Sequence, residues 1–345
     1  MTRYILALIA TAFPMAAQQP SFTNADVRPI TVSGGLEKTM RTVTAEQKAA
    51  MWIGYAVPAA PGMGQSCCWN DSSRGCGLEG RGGFHGTREV HPVKLEGPTH
   101  ASVLYRVENG TVGKIAAYSM DCPLDAGGLT VRWLTGVPPA ESVALLARYA
   151  AGSGRLADGA MHAIAVHAGG EADAALERLA TAENEVETRK KAIFWLGNSR
   201  GRRGYEVVSK AARTDPSDKV REHAIFALTL SQEAEAIPAI IRIAKEDQSP
   251  HVRGQALFWL AQKASQKAEG AISDAIEKDP DTEVKKAAVF ALTQLPGGEG
   301  VPALIQVARN NRNPAVRKQA MFWLGQSKDE RALKFLEEVL IGSRR

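Results

Sequence analysis

No stretch of 18 or more apolar residues occurs in this chain of 345, which excludes an ordinary membrane-spanning helix. Charge of one sign is also scarce. The net charge is +5, and it is spread thinly. Residues 1–138 hold 12 Lys/Arg against 10 Asp/Glu, and residues 139–345 hold 30 against 27. No block is basic enough to define a nucleic-acid footprint, so no nucleic-acid partner is expected. H-E-x-x-H is missing, as is a Gly-rich phosphate loop carrying Lys; G-x-S-x-G occurs once, at Gly197-Asn198-Ser199-Arg200-Gly201, inside the helical half and not between a strand and a helix. No catalytic residue, cofactor or metal is therefore assigned, and any active site would have to be assembled by folding. Cysteine is rare as well: Cys67, Cys68, Cys76 and Cys122 are the only four.

The first residues carry the features of an export signal. Arg3 precedes the ten apolar residues Tyr4–Phe13, and Pro14-Met15-Ala16-Ala17 forms a small-residue cleavage region. Residues 1–17 are expected to be removed, leaving a soluble periplasmic or extracellular protein that begins near Gln18. No cysteine near the cleavage region suggests a lipid anchor. An even cysteine count in an exported chain predicts two disulfides, with three possible connectivities. Adjacent cysteines rarely meet disulfide geometry, so Cys67 and Cys68 are expected to reach separately to Cys76 and Cys122. Zinc is the rival reading, because Cys67, Cys68, Cys76, His85 and His91 lie close in sequence. The paired C-x₂₋₄-C spacing of structural zinc sites is missing. Asp121 and Asp125 could likewise aid calcium, but no D-x-D-x-D-G loop is present, and they read as a polar turn.

Residues 18–35 are polar and turn-rich and read as an extended lead-in. Residues 36–138 read as a small β-rich (α+β) domain, with strands at 52–57, 101–108, 111–120 and 129–134. Asn109-Gly110 is a preferred two-residue type I′ hairpin turn. It accounts for those residues better than the glycosylation sequon that Asn109-Gly110-Thr111 also matches.

Pro138-Pro139 opens a region of helical periodicity, residues 139–345. A nine-residue pattern recurs there every 32 residues: TRKKAIFWL from Thr188, VREHAIFAL from Val220, VRGQALFWL from Val252, VKKAAVFAL from Val284 and VRKQAMFWL from Val316. Uninterrupted self-similarity of this kind means stacked helical units. The spacing predicts six helix pairs, A then B, and a closing helix at 329–341. Leu176, Val208, Ile240, Ile272, Leu304 and Leu336 keep one register through the A helices. The first pair departs from the pattern, with His162 where later copies have Phe.

The second-helix pattern V-R-x-x-A-x-x-A/W-L-G/T, with an acidic residue before it, resembles HEAT repeats. It is most similar to the short bacterial type related to phycobilisome-lyase HEAT-like repeats, over about residues 140–341. The resemblance implies an all-α, right-handed α-α superhelix with A helices on the convex side and B helices on the concave side. It also implies a binding scaffold, with a minority of lyase-related relatives. In such arrays turn acids typically bond to the helix-B Arg. That reading makes Arg189, Arg221, Arg253, Lys285 and Arg317 a structural ladder, each served by the residue six positions earlier: Glu183, Asp215, Asp247, Asp279 and Asn311. The alternative is a cationic row that binds a polyanion.

A second ladder is aromatic. At 100° per residue, the Val, Ala and Leu of each B helix share one face with the Trp/Ala position. Phe194, Phe226, Phe258, Phe290 and Phe322 point away from it, at a position commonly polar in HEAT repeats. They form either a hydrophobic strip along the groove or lateral packing between neighbouring B helices. Trp195, Trp259 and Trp323 alternate with Ala227 and Ala291, so the true repeat is a 64-residue doublet. Large-small alternation suits interdigitated layers, and the indole N–H groups would still need partners. The reading is an exported interaction scaffold that binds a protein or peptide along the Phe and Trp residues. The alternative is an enzyme or lyase-like accessory protein with a site near Cys67 and Cys68. Oligomeric state is left open.

Overall fold

A computed structural model of the chain describes residues 19–61, 67, 76–80, 99–263 and 265–342. They fall into two compact units, one within residues 1–145 plus 166–168, the other within 146–165 plus 169–345. The export signal, Cys68, His85 and His91 lie outside the described residues.

The first unit is built on a five-stranded mixed sheet of order β2-β8-β3-β5-β6. Its strands are β2 (Asp26–Thr31), β3 (Met51–Pro58), β5 (His100–Glu108), β6 (Thr111–Ser119) and β8 (Thr130–Thr135). The hairpin β5–β6 turns on Asn109 and Gly110, whose φ values of 52° and 73° suit the type I′ geometry. β8 runs parallel to both β2 and β3. A smaller sheet, β1 (Phe22–Thr23), β7 (Leu124–Asp125) and β4 (Cys76–Gly77), is wholly parallel. The extended lead-in is thus corrected: its residues supply β1 and an edge strand, β2. Helix α1 (Leu36–Glu46) was not foreseen either; it buries Leu36, Thr39, Met40 and Val43, one helical stripe. The Glu141 carboxylate accepts from the Leu36 amide at 2.6 Å and so caps its N-terminus.

Apolar residues from both sheets, Trp52, Leu78, Leu104, Leu124, Val131 and Trp133 among them, make one core with Cys76 and Cys122. Gly54 in β3 is required by that packing. A Cβ there would lie 2.5 Å from Leu104 Cδ2 and 2.9 Å from Trp133 Cζ3. Residues 76–80 are tied down by polar contacts. Glu79 accepts from the Trp52 indole at 2.8 Å and from Arg106 at 2.9 and 3.0 Å, and Lys114 donates to the Leu78 carbonyl at 2.9 Å.

The helical region contains α2 (Pro139–Ala150), α3 (Gly154–Val166), α4 (Gly170–Leu179), α5 (Val186–Ser199), α6 (Gly201–Thr214), α7 (Asp218–Leu230) and α8 (Ala236–Glu246). It continues with α9 (Pro250–Lys263), α10 (Ser265–Lys278), α11 (Thr282–Thr293), α12 (Val301–Asn310), α13 (Pro314–Gln326) and α14 (Glu330–Gly342). These are the six expected A–B pairs and the closing helix, in a HEAT-like solenoid. Positions that share the apolar face, such as Val220, Ala224 and Leu228 of α7, are fully buried, as are their copies Val252, Ala256 and Leu260 of α9. The 32-residue repeat therefore places equivalent side chains at equivalent contacts in each layer.

Candidate functional site

The layers are locked by charge, and the lock runs forward. Arg189 donates to Asp215 at 3.1 Å, Arg221 bonds both oxygens of Asp247 at 2.9 and 3.1 Å, and Arg253 bonds both oxygens of Asp279 at 2.8 and 2.9 Å. Each carboxylate lies 26 residues after its Arg, in the turn of the next repeat. The expected pairing with the side chain six residues earlier is corrected. That residue offers its backbone carbonyl instead: Asp215 to Arg221 at 2.9 Å, Asp247 to Arg253 and Asn311 to Arg317 at 2.8 Å. The turn acid is itself oriented by an amide two residues on, as when Ser249 N–H donates to Asp247 at 2.8 Å. The ladder stops where both partners change. Lys285 donates to the Glu277 carbonyl, and Asn311 takes the acid's place. These guanidinium groups are buried and committed, so they do not form a surface for polyanions.

The aromatic residues do form a surface feature, a ribbon along the B helices. Phe194 and Phe226 stack with centroids 6.3 Å apart, and Phe258 and Phe290 stack at 6.1 Å with planes parallel to 1°. Trp259 links the two pairs, lying 4.8 Å from Phe226 and 5.1 Å from Phe258. Trp195 meets Phe194 edge-on at 5.0 Å, and Trp323 joins Phe290 to Phe322. At the head of the ribbon His162 stacks on Trp195 at 4.9 Å, the place that Phe226 and Phe290 take against Trp259 and Trp323. The rings are paired within doublets and do not form a uniform ladder at helix-packing spacing. The cause is the Trp, which enters every second layer and holds successive pairs apart. Phe194, Phe226, Phe258 and Phe290 are half-buried among their ring neighbours. Phe322, the last, is 54% exposed. The indole N–H of Trp323 is buried and has no hydrogen-bond partner among the described residues.

The position two after the Trp also alternates, with Gly197, Ala261 and Gly325 in the Trp layers. Gly197 sits where a Cβ would lie 2.6 Å from the Ala227 carbonyl oxygen, so the layer with Trp195 needs glycine two positions on. In the intervening layers Thr229 and Thr293 stand there and donate to the carbonyls of Phe226 and Phe290, both at 2.6 Å.

Two open clefts flank the ribbon. One of about 540 Å³ is bounded by Pro250, His251, Gln255, Phe258, Glu283 and Phe290. The other, of about 430 Å³, is bounded by Lys190, Lys219, Glu222, His223, Phe226 and Trp259, and shares Gln255 with the first. Burial holds the imidazoles of His162 and His223 below the usual histidine range, aided at His223 by Lys190. Charges around the clefts are largely matched: Lys190 with Glu187, Lys191 with Asp158, Lys286 with Glu283. The clefts thus offer apolar area and neutral polar edges, suited to shape recognition.

At the rival site the described cysteines carry no free thiol. Cys67 and Cys122 form a disulfide with Cα atoms 5.6 Å apart, and Cys76 is disulfide-bonded as well. These residues lack the thiolates that zinc binding or nucleophilic chemistry requires. Asp125 is held in a polar turn, accepting from Asn24 at 2.9 Å and the Gly127 amide at 2.8 Å.

Residues 172–261 and 271–344 match the family model for HEAT repeats. A HEAT-repeat-type all-α region therefore spans about residues 172–344. No curated protein sequence matches the chain. Among solved structures, human deoxyhypusine hydroxylase in complex with glycerol is similar at 17% identity and a TM-score of 0.32, over 57% of this chain and 77% of that one. The complex of CpcE and CpcF of phycocyanin lyase from Nostoc is similar at 21% and 0.32, over 55% and 76%. A structure of Kap95p with RanGDP gives 18% and 0.35, over 55% and 30%.

Proposed function

We propose that the protein is an exported interaction scaffold whose B helices bind a protein or peptide through the aromatic ribbon. HEAT-repeat arrays generally serve protein–protein association. The observation that carries the reading is the continuous run of ring contacts from His162 to Phe322, in which Phe194, Phe226, Phe258 and Phe290 are half-buried and Phe322 is exposed. Export is supported by Arg3, the apolar run Tyr4–Phe13 and the cleavage-like Pro14–Ala17, together with a disulfide-bonded first unit.

The doublet sets the register of the partner. Two layers span about 16–20 Å at 8–10 Å each, and an extended peptide rises about 3.3 Å per residue. Apolar anchors should therefore recur about every five or six residues. Selection from a random peptide library on the folded chain tests this. Selected peptides should carry aromatic or large aliphatic anchors at that spacing, and binding should vanish in the Phe258→Ser, Phe290→Ser double variant. Equal binding by the double variant, or no spacing preference, would sink the proposal. Export is checked separately by N-terminal sequencing of secreted material, expected to begin near Gln18.

A further inference from the structure

The repeat supplies a control for each position on the B helices, and one layer boundary departs from it twice. Gly254 of α9 stands where α5, α7, α11 and α13 carry Lys190, Glu222, Lys286 and Lys318. Ala287 of α11 stands where the other four carry Lys191, His223, Gln255 and Gln319. Both line the cleft of about 540 Å³. A Cβ at Gly254 would lie 3.1 Å from that of Ala287, so the two truncations adjoin. The cleft is therefore a notch, cut where two long polar side chains stand in the other layers. Pro250, Phe258 and Phe290 give it apolar walls, with the two rings parallel at 6.1 Å.

The matched charges at this rim leave one exception. Glu283 pairs with Lys286, and His251 lies against Glu222. Asp281 makes no ion pair among the described residues. Its Oδ1 accepts from the amides of Glu283 and Val284 at 2.7 and 3.3 Å, and no described residue donates to its Oδ2. No Lys or Arg lines the notch. The half-buried Gln255 carboxamide, also on its wall, makes no hydrogen bond among the described residues. Apolar walls with an unmatched carboxylate and an unspent amide suit a side chain with an apolar stem and a cationic head. Aromatic rings attract the same head through their quadrupoles.

We propose that this notch is the ribbon's specificity pocket and takes an arginine or lysine side chain of the bound polypeptide. The polypeptide comes from the ribbon reading, on which this inference rests; the notch and its charge stand on their own residues. The stem packs against Phe258 and Phe290, and the head meets Asp281 Oδ2 and the Gln255 carboxamide oxygen. An acidic side chain is repelled by Asp281. An apolar one leaves Asp281 and Gln255 desolvated without partners.

Titration of Nα-acetyl-arginine amide into the full chain, followed by amide NMR shifts, isolates the notch from any peptide. Shifts should centre on Gly254, Gln255 and Ala287, with a Kd about fivefold below that of the norleucine analogue. Asp281→Asn keeps a capping oxygen, as Asn313 does in α13, and should lose that advantage. Ala287→Gln restores the residue of the neighbouring layers and should abolish the shifts. Among library peptides, basic residues should be enriched at one offset from the apolar anchors on the unaltered chain, and not on Asp281→Asn. An arginine probe that binds no better than norleucine, or equally well to Asp281→Asn, overturns the notch and leaves the ribbon standing. Probe binding at the notch with no library peptide bound keeps the notch and sinks the ribbon instead.

Discussion

The two units of this molecule are held together over different sequence distances. In the first, Asn24 bonds Asp125 across 101 residues, the Leu36 amide bonds Glu141 across 105, and Cys67 is joined to Cys122 across 55. In the array the Arg–Asp locks each span 26 residues, and the same lock returns in the next layer. Closing a long loop costs more chain entropy than closing a short one, so the first unit needs covalent links, whereas the array adds one nearest-neighbour interface per repeat. The difference teaches where each region is vulnerable: the first unit as a whole, the array one layer at a time.

The largest expected effect tests the array. Arg221→Ala would leave the Asp247 carboxylate buried without its cation, at a cost of about 3–5 kcal/mol. Lys285→Ala removes only a bond to a carbonyl and should cost under about 1 kcal/mol. Urea melts of both variants make the comparison, and equal losses would remove the forward lock as the source of layer stability. Cys122→Ser comes next, at about 2–5 kcal/mol. Hydrogen exchange should quicken in β5, β6 and β8 while α7 to α11 hold their rates; quickening in both would erase the contrast between the units. Third, Phe258→Ser should cost roughly 2–3 kcal/mol, below the 3–5 kcal/mol of a fully buried ring, because part of the ring is already in water. A loss near 5 kcal/mol in thermal melts would make the ring core and leave the ribbon without a binding face.

The smallest effect is a matter of pH. Burial lowers the folded-state pKa of His162 below its unfolded value, about 6.5. Above that value both states are neutral and stability is full. As pH falls below it, the unfolded chain takes up the proton first, so stability declines until the folded pKa is passed. His162→Phe restores the residue found in later copies and should flatten the decline in melting temperature between pH 7 and about 5.5. An unchanged slope would assign the pH response to other groups, His223 first among them.

Much of the array was legible because its buried positions fall on a 3.6-residue period and recur without insertion. The strands β3, β5, β6 and β8 were legible from alternation and from Asn109-Gly110. The edge strand β2, Asp-Val-Arg-Pro-Ile-Thr, was not, since exposed polar residues and Pro29 leave no buried run to see. The direction of the Arg lock was hidden for a different reason. Asp215, Asp247 and Asp279 stand six residues before Arg221, Arg253 and Lys285 and 26 after Arg189, Arg221 and Arg253, so the spacing alone fits both pairings.

Sequence by itself determined that this chain carries a stack of paired helices in 32-residue steps with a 64-residue doublet, because helix period and repeat length are local properties that the order of residues encodes directly. Tertiary structure alone decided which aspartate each arginine holds, that the rings pair and lean on intervening tryptophans, and that Cys67 meets Cys122. Those outcomes depend on which surfaces remain after neighbours have packed, and packing between segments distant in the chain leaves no periodic mark in any one of them.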